Sequence, residues 1–229
     1  MSLALRSVTI DLDGTLLDTL DDLAAGCNGM LAELGLPQRS RSEIESFVGD
    51  GMAALVERCL TWGAVPTGEQ MQVAVTAFKR HYARANGQSS RLYPDVLAGL
   101  QSLRAQGLVL AVVTNKPAMF TEPLLQATGL APYFAAVVSG DSLPHKKPHP
   151  LQIIHACGLL GSTPGQNLHV GDSLNDALAA RAAGSLVYCV TYGYSHGEPV
   201  DTASCDALVS DLLDVAQKIA GATDPHLAD

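Results

Sequence analysis

Positive charge is scarce in this chain: 14 Lys and Arg stand against 23 Asp and Glu in 229 residues, a formal charge of -9. That balance argues against a nucleic-acid partner or an anionic membrane surface, both of which call for a basic face. An anionic substrate would need local cations or a metal to receive it. Charge of either sign is thin, at 16%, against about 25% in ordinary globular chains. With 47% apolar residues, this composition excludes a disordered chain and leaves enough material for a sizeable core. No apolar run approaches membrane-spanning length, and the stretch ahead of Arg6 and Asp11 is too short for a signal peptide. Cys27, Cys59, Cys157, Cys189 and Cys205 form no C-x-x-C pair and no zinc spacing. They read as reduced, mostly buried thiols of a cytoplasmic protein. Internal repeats and low-complexity segments are also missing.

What is present starts with Asp11-Leu12-Asp13-Gly14-Thr15 at the end of an apolar run that begins near Leu5. Extended backbone sends residues i and i+2 to one side, so Asp11 and Asp13 are expected to face one site together. Like charges that close require a cation, a shared proton or water. Leu20, Leu23, Cys27, Met30, Leu31 and Leu34 then recur at three- and four-residue intervals, which predicts a helix over 18–34. Further helices are expected over 42–48, 52–62 and 67–85, so that 18–88 reads as all helix. Trp62 is expected to anchor that block internally or against its neighbour. From Arg91 the texture becomes alternating: helices over 95–106, 117–128, 149–160 and 173–183, strands over 108–113, 135–139, 168–170 and 186–190. Such alternation predicts an α/β fold with a doubly wound parallel sheet. The first strand belongs to that sheet, so residues 1–17 and 89–229 form the α/β domain and 18–88 an inserted helical one. The polar tail after Gly221 is expected to fray.

Ligands of open parallel sheets collect beyond the carboxyl ends of the strands. There the chain places Asp11 and Asp13, then Thr114-Asn115-Lys116, then Gly171-Asp172-Ser173-Leu174-Asn175-Asp176, with the basic loop His145-Lys146-Lys147-Pro148 between the last two. The set suits phosphoryl transfer. A carboxylate oxygen of Asp11 can attack phosphorus, and water can then cleave the acyl-phosphate. Asp13 is placed to protonate the leaving oxygen and later to take a proton from water. Mg²⁺ held by Asp11, Asp172 and a backbone carbonyl would relieve the anion–anion encounter. Lys147 would neutralise phosphoryl charge, and Thr114, with Asn115 and nearby N–H groups, would orient it. Asp176 is expected to hold a metal-bound water or brace Lys147, with Ser173 supporting the same turn. His145, His149 and His155 are not expected to bind metal, because Pro148 and Pro150 break any regular helical spacing between the first two.

The stretches DLDGTLLD, VVTNK, KKPHP and GDSLND resemble the four ordered motifs of the haloacid dehalogenase superfamily, and specifically its magnesium-dependent phosphatases, across about residues 8–190. The resemblance implies a Rossmann-like core with an inserted all-helical cap. It also implies Asp11 as nucleophile, Asp13 as acid/base, Thr114 and Lys147 as phosphate ligands, and Asp11, the Asp13 carbonyl and Asp172 as ligands of Mg²⁺. Asp13 favours phosphoester chemistry, since the name-giving dehalogenases lack the second aspartate. Gly49-Asp50-Gly51 with MAALVERCL, Leu92-Tyr93-Pro94 and Thr191-Tyr192-Gly193-Tyr194 look like the phosphoglycolate phosphatase branch. That branch implies 2-phosphoglycolate as substrate, with Arg58 or Arg41 as the cap cation for its carboxylate. Rival readings are a sugar- or amino-sugar-phosphate phosphatase, a beta-phosphoglucomutase-like phosphomutase and, in another class, a phospho-aspartate receiver module. The expected partner is one small phosphorylated metabolite, met by a monomer or homodimer.

Overall fold

The computed structural model describes residues 5–194 and 200–223. In chain order the elements are β1 (Ser7–Ile10), β2 (Leu17–Asp18), α1 (Leu20–Glu33), α2 (Arg41–Phe47), α3 (Met52–Leu60), α4 (Gly68–Ala85), β3 (Arg91–Leu92), α5 (Val96–Ala105) and β4 (Val109–Val113). There follow α6 (Ala118–Ala127), β5 (Ala136–Val138), α7 (Leu151–Leu159), β6 (Asn167–Gly171), α8 (Leu174–Ala183), β7 (Leu186–Val190), β8 (Ala207–Val209) and α9 (Leu212–Thr223). Among the described residues no helix is long and apolar enough to cross a membrane. The five cysteines are all free and buried.

Six strands form one parallel sheet in the order β5-β4-β1-β6-β7-β8. Their continuous apolar runs fit a sheet covered on both faces. Alternate residues divide between two cores: Leu110 and Val112 join Val96, Leu100, Leu124 and Val215 on one face, while Ala111 and Val113 join Ile153, Ala156 and Ala180 on the other. The sheet is therefore doubly wound, as the alternation predicts. β1 sits between β4 and β6, with Ile10 level with both Val112 and Val170. The chain reverses its direction of travel across the sheet at β1, and side chains just past these three strands meet in one crevice.

Helices α1 to α4 enclose a separate apolar cluster, including Leu23, Cys27, Met30, Val56, Phe78 and Tyr82, which Phe120 of α6 and Tyr194 join from the sheet side. Two capping boxes fix helix starts here, Ser40 with Glu43 and Thr67 with Gln70. A Cβ at Gly26 would lie 2.9 Å from the Tyr82 Cβ, so the glycine lets α1 and α4 close on each other at Tyr82. Trp62 is about half exposed at the far end of this group, its ring under the Arg39 guanidinium at 3.4 Å. It makes no anchor against the sheet.

The structure differs from the sequence reading at three places. Asp18 lies in β2 rather than in the first helix: β2 and β3 pair antiparallel, Asp18 opposite Arg91, and the Asp18 carboxylate accepts the Leu20 N–H as α1 begins. β8 and α9 extend the sheet past residue 190, because three residues are too few to show strand alternation. Gly221 itself lies inside α9, and the tail from residue 224 is outside the described residues. Elsewhere the expected elements shift by a residue or two at their ends.

Asp22, only 2% exposed on α1, ties the helical group's two ends together. Its carboxylate accepts the backbone N–H groups of Gly87 (2.8 Å), Ser89 (2.8 Å) and Ser90 (3.1 Å) and the Ser90 hydroxyl (2.5 Å). Asp22→Ala strands these donors. We expect a loss of about 2–3 kcal/mol, read as a thermal midpoint roughly 5–10 °C lower by circular dichroism. An unchanged midpoint would show that water replaces the carboxylate without cost.

Candidate active site

Asp11 follows β1 directly, and its N–H donates to the Val170 carbonyl, which pins it against β6. Its Oδ1 lies 2.9 Å from Lys147 Nζ, an ion pair whose angle leaves that oxygen without a directed hydrogen bond. Burial pushes the Asp11 carboxyl up to about 7, against the pull of Lys147 and with the help of Asp176. Asp172, just past β6, accepts from the Thr15 hydroxyl (3.2 Å) and the Tyr194 N–H (2.7 Å). Burial, then the charges of Asp176 and Asp11, push it up to about 8. Gly14, at φ +85°, has no room for a side chain: a Cβ there would meet Asp172 Oδ2 at 2.3 Å.

Lys147 is 2% exposed. Its ammonium donates to Asp176 Oδ1 at 2.6 Å and to the Val113 carbonyl at 2.8 Å, besides its pairing with Asp11. Burial alone would depress its pKa, but the two carboxylates outweigh burial and hold it above the usual lysine range. Asp176, fully buried, is held well below the carboxylate range, since Lys147 and His169 overcome its desolvation. Its second oxygen accepts the Ser173 N–H (3.2 Å) and hydroxyl (2.5 Å), closing the capping box of α8. Asp176 therefore braces Lys147.

Two residues that sequence reasoning passed over complete this brace. His169, in the middle of β6, places Nε2 2.9 Å from Asp176 Oδ1 and Nδ1 2.9 Å from the Thr9 hydroxyl. Burial lowers its pKa, so a neutral ring donating from Nε2 to Asp176 and accepting from Thr9 satisfies every partner. Gln152 donates to the Thr114 carbonyl (3.1 Å) and the Ser139 carbonyl (2.9 Å) and accepts the Lys147 N–H (3.0 Å). His169 interrupts the apolar stretch between Leu168 and Val170, and Gln152 the face of α7 that Ile153, Ala156 and Cys157 form, and a polar interruption of that kind is the signal that could have found them.

Asp13 turns to different partners. Its carboxylate accepts from the Thr19 hydroxyl (2.6 Å) and from Lys116 Nζ (3.0 and 3.2 Å). Both aspartates line one cavity of about 50 Å³, with Thr114, Asn115, Asp172 and Ser173 beside them. Thr114 Oγ1 accepts the Lys116 N–H at 3.2 Å, leaving its own proton for a ligand. The remaining wall comes from α1, α3 and α4 through Leu23, Leu55, Phe78 and Tyr82.

Two expectations require correction, and a third is narrowed. Asn115 is expected to touch phosphate, and its side-chain NH₂ spends both protons on the Gly49 and Lys147 carbonyls, each at 2.9 Å, so only its main-chain N–H is left for that role. Its amide joins the α2–α3 loop to the Lys147 loop instead. Arg58 turns back to Asp50 and the Phe47 carbonyl, and Arg41, half exposed, pairs with Asp21 at 2.8 Å. Neither lines the cavity: Arg58 pairs with the acid just ahead of its own helix α3, and Arg41 reaches across to the first turn of α1.

A divalent cation fits this donor set. Among the described residues Asp11, Asp172 and Asp176 can bring carboxylate oxygens within 4.8 Å of one another. Burial and the Asp176 charge destabilise both of the first two as anions, the Asp11 charge adds to this at Asp172, and Asp11 Oδ1 lacks a hydrogen bond. All-oxygen donors suit a hard ion such as Mg²⁺, Mn²⁺ or Ca²⁺.

The haloacid dehalogenase-like hydrolase family model matches residues 8–190. A phosphoglycolate phosphatase of Nitrosospira multiformis is 48% identical over 219 residues, 95% of this chain and 96% of that protein. One from Thiobacillus denitrificans is 45% identical over 216 residues, 93% of this chain and 95% of that one. The crystal structure of a predicted phosphoglycolate phosphatase from Haemophilus somnus superposes with a TM-score of 0.88 at 37% identity, covering 93% of this chain and 97% of that chain. The crevice at the β1 switch point, the motif residues within it and these matches agree: the chain belongs to the haloacid dehalogenase-like hydrolase family.

Proposed function

We propose that this chain hydrolyses 2-phosphoglycolate to glycolate and phosphate through an aspartyl-phosphate on Asp11, with Mg²⁺ as its cation. The names of the relatives at 45% and 48% identity support the substrate. The observation that carries the chemistry is the parting of the two aspartates, Asp11 toward Lys147 and Asp13 toward Lys116 and Thr19. Residues 18–88 serve as a cap whose apolar side chains keep bulk water from the cavity. Five buried free thiols support a cytoplasmic setting.

An Asp11 carboxylate oxygen attacks phosphorus, and the bond from phosphorus to the ester oxygen breaks with its electron pair on that oxygen. Asp13 gives it a proton, releasing glycolate. Water then attacks the aspartyl-phosphate while Asp13 takes its proton, and the acyl-phosphate bond breaks to restore the Asp11 carboxylate and free phosphate. Lys147 steadies charge on the phosphoryl oxygens, and the Thr114 hydroxyl and the Asn115 main-chain N–H orient them. Mg²⁺ bound by Asp11, Asp172 and the Asp13 main-chain carbonyl would neutralise the crowded carboxylates and the phosphoryl group.

Asp11→Asn should lower turnover of 2-phosphoglycolate on the order of 10⁴-fold or more. Asp13→Asn should fall nearly as far while accumulating phospho-enzyme from an activated aryl phosphate, seen as a mass gain of one phosphoryl group. A residual rate near wild type in Asp11→Asn would remove the covalent route. Phosphate release across 2-phosphoglycolate, sugar phosphates and nucleotides tests the substrate, with 2-phosphoglycolate expected to give the highest kcat/KM.

The cation has a readout apart from activity. Asp11 and Asp172 hold protons more tightly in the fold, at about 7 and about 8, than at their ordinary 3.8. In metal-free protein the stability these two groups contribute is present in full below the ordinary value and is lost as pH rises through 7 and 8. The lowered pKa of Asp176 acts only on the acid side, outside that window. Mg²⁺ should therefore raise the thermal midpoint more at about pH 8 than at about pH 6, where it competes with protons. An equal gain at both would place the ion elsewhere.

A further inference from the structure

We propose that the Lys116 ammonium, together with the Tyr82 hydroxyl, receives the carboxylate of the leaving group and so sets the substrate preference. The inference rests on the phosphoglycolate reading above and names the side chains that would enforce it. Lys116 follows β4 on the sheet side and is 5% exposed, and it is the one cation among the described residues that line the cavity. Its Nζ reaches both Asp13 oxygens, at 3.0 and 3.2 Å, and the Tyr82 hydroxyl at 2.5 Å. Tyr82 comes from α4, so the contact joins the helical group to the motif loop.

The chemistry of a short ester fixes where a second anion must go. In 2-phosphoglycolate the carboxylate carbon is two bonds from the ester oxygen. The group that protonates that oxygen and the group that binds the carboxylate must therefore be neighbours, and beside Asp13 stands Lys116. A carboxylate entering walls of Leu23, Leu55 and Phe78 without a cation would carry a large desolvation penalty. Lys116 spans both oxygens of Asp13, so one N–H can turn to the substrate while another keeps the ion pair. Thr19 also holds Asp13 in place, at 2.6 Å.

Tyr82 supplies the second donor. Its hydroxyl accepts from Lys116 and, among the described residues, donates to none. Burial keeps that phenol protonated, with its pKa well above the ordinary tyrosine value. The ring is fixed by stacking on Phe78 (centroids 5.2 Å apart) and by edge contact with Phe120 (4.8 Å), so the hydroxyl is pre-positioned.

The test compares kcat/KM for 2-phosphoglycolate with that for ethyl phosphate, which has the same chain length and no carboxylate. Lys116→Met keeps length and loses charge. The ratio should fall on the order of 10- to 100-fold, the worth of one buried charge-assisted hydrogen bond, whatever happens to the rate common to both esters. Tyr82→Phe keeps the packed ring and should lower the ratio roughly 3- to 10-fold. A ratio that holds in Lys116→Met overturns the assignment, whatever Tyr82→Phe does. Failure of the substrate reading looks different: wild-type protein would then show no preference for 2-phosphoglycolate. The same ratio is in that case taken with 3-phosphoglycerate and 2-phospholactate, and a wild-type chain that prefers no carboxylated ester overturns both.

Discussion

Lys147 carries a full positive charge at the bottom of the crevice with almost no access to water. An ammonium in that position is tolerable only if its hydrogen bonds and its charge are both answered. The answer comes from three separate elements: Asp11 after β1, Asp176 in α8 and the Val113 carbonyl at the end of β4. Removing any one would leave a buried charge partly unpaired, so the central strands and α8 are locked into register by the same group that would meet phosphate. Asp176 is locked in turn by His169 and Ser173, and Lys147 by Gln152 and Asn115. Rigid support of this kind holds a catalytic group in place before substrate arrives.

Electrostatics then divide the two motif aspartates. Asp11 belongs to the crowded anionic corner, where burial and neighbouring carboxylates make an extra cation welcome. Asp13 belongs to a second corner with its own lysine and a tyrosine from the helical group. In the proposed reaction one corner would take phosphoryl charge and the other the leaving group, with the short Leu12 link between them setting the distance. Sheet-side and helical residues therefore share a single wall of side chains. The acidic chain as a whole offers little attraction to an anion, and the buried lysines supply locally what the net charge of -9 denies.

Much of this is legible in the linear chain. The alternating texture after Arg91 gives the doubly wound sheet, because helix and strand periods differ and only parallel strands need such crossovers. The placement of Asp11, Thr114, Lys147 and Asp172 follows, since side chains just past neighbouring strands must meet. Asp22 is legible only as a first-turn helix acid; that it closes the helical group depends on Gly87, Ser89 and Ser90 arriving beside it.

What the sequence determined by itself was the sheet, the run of helices after its first strand and the meeting of Asp11, Lys147 and Asp172 beyond the strand ends, because period, spacing and strand-end position are local properties of a chain. Only the tertiary structure decided the rest. His169 gains its partners from the register of β6 beside β1, and Gln152 from the seating of α7 against the loops after β4 and β5. The Asn115 side chain is claimed by two carbonyls distant in the chain, and Arg41 and Arg58 are taken from the cavity by carboxylates of their own surroundings. Lys116, one lysine among several in the sequence, becomes distinctive when α4 brings Tyr82 against it, for a charge acquires its function from the partners that burial leaves it.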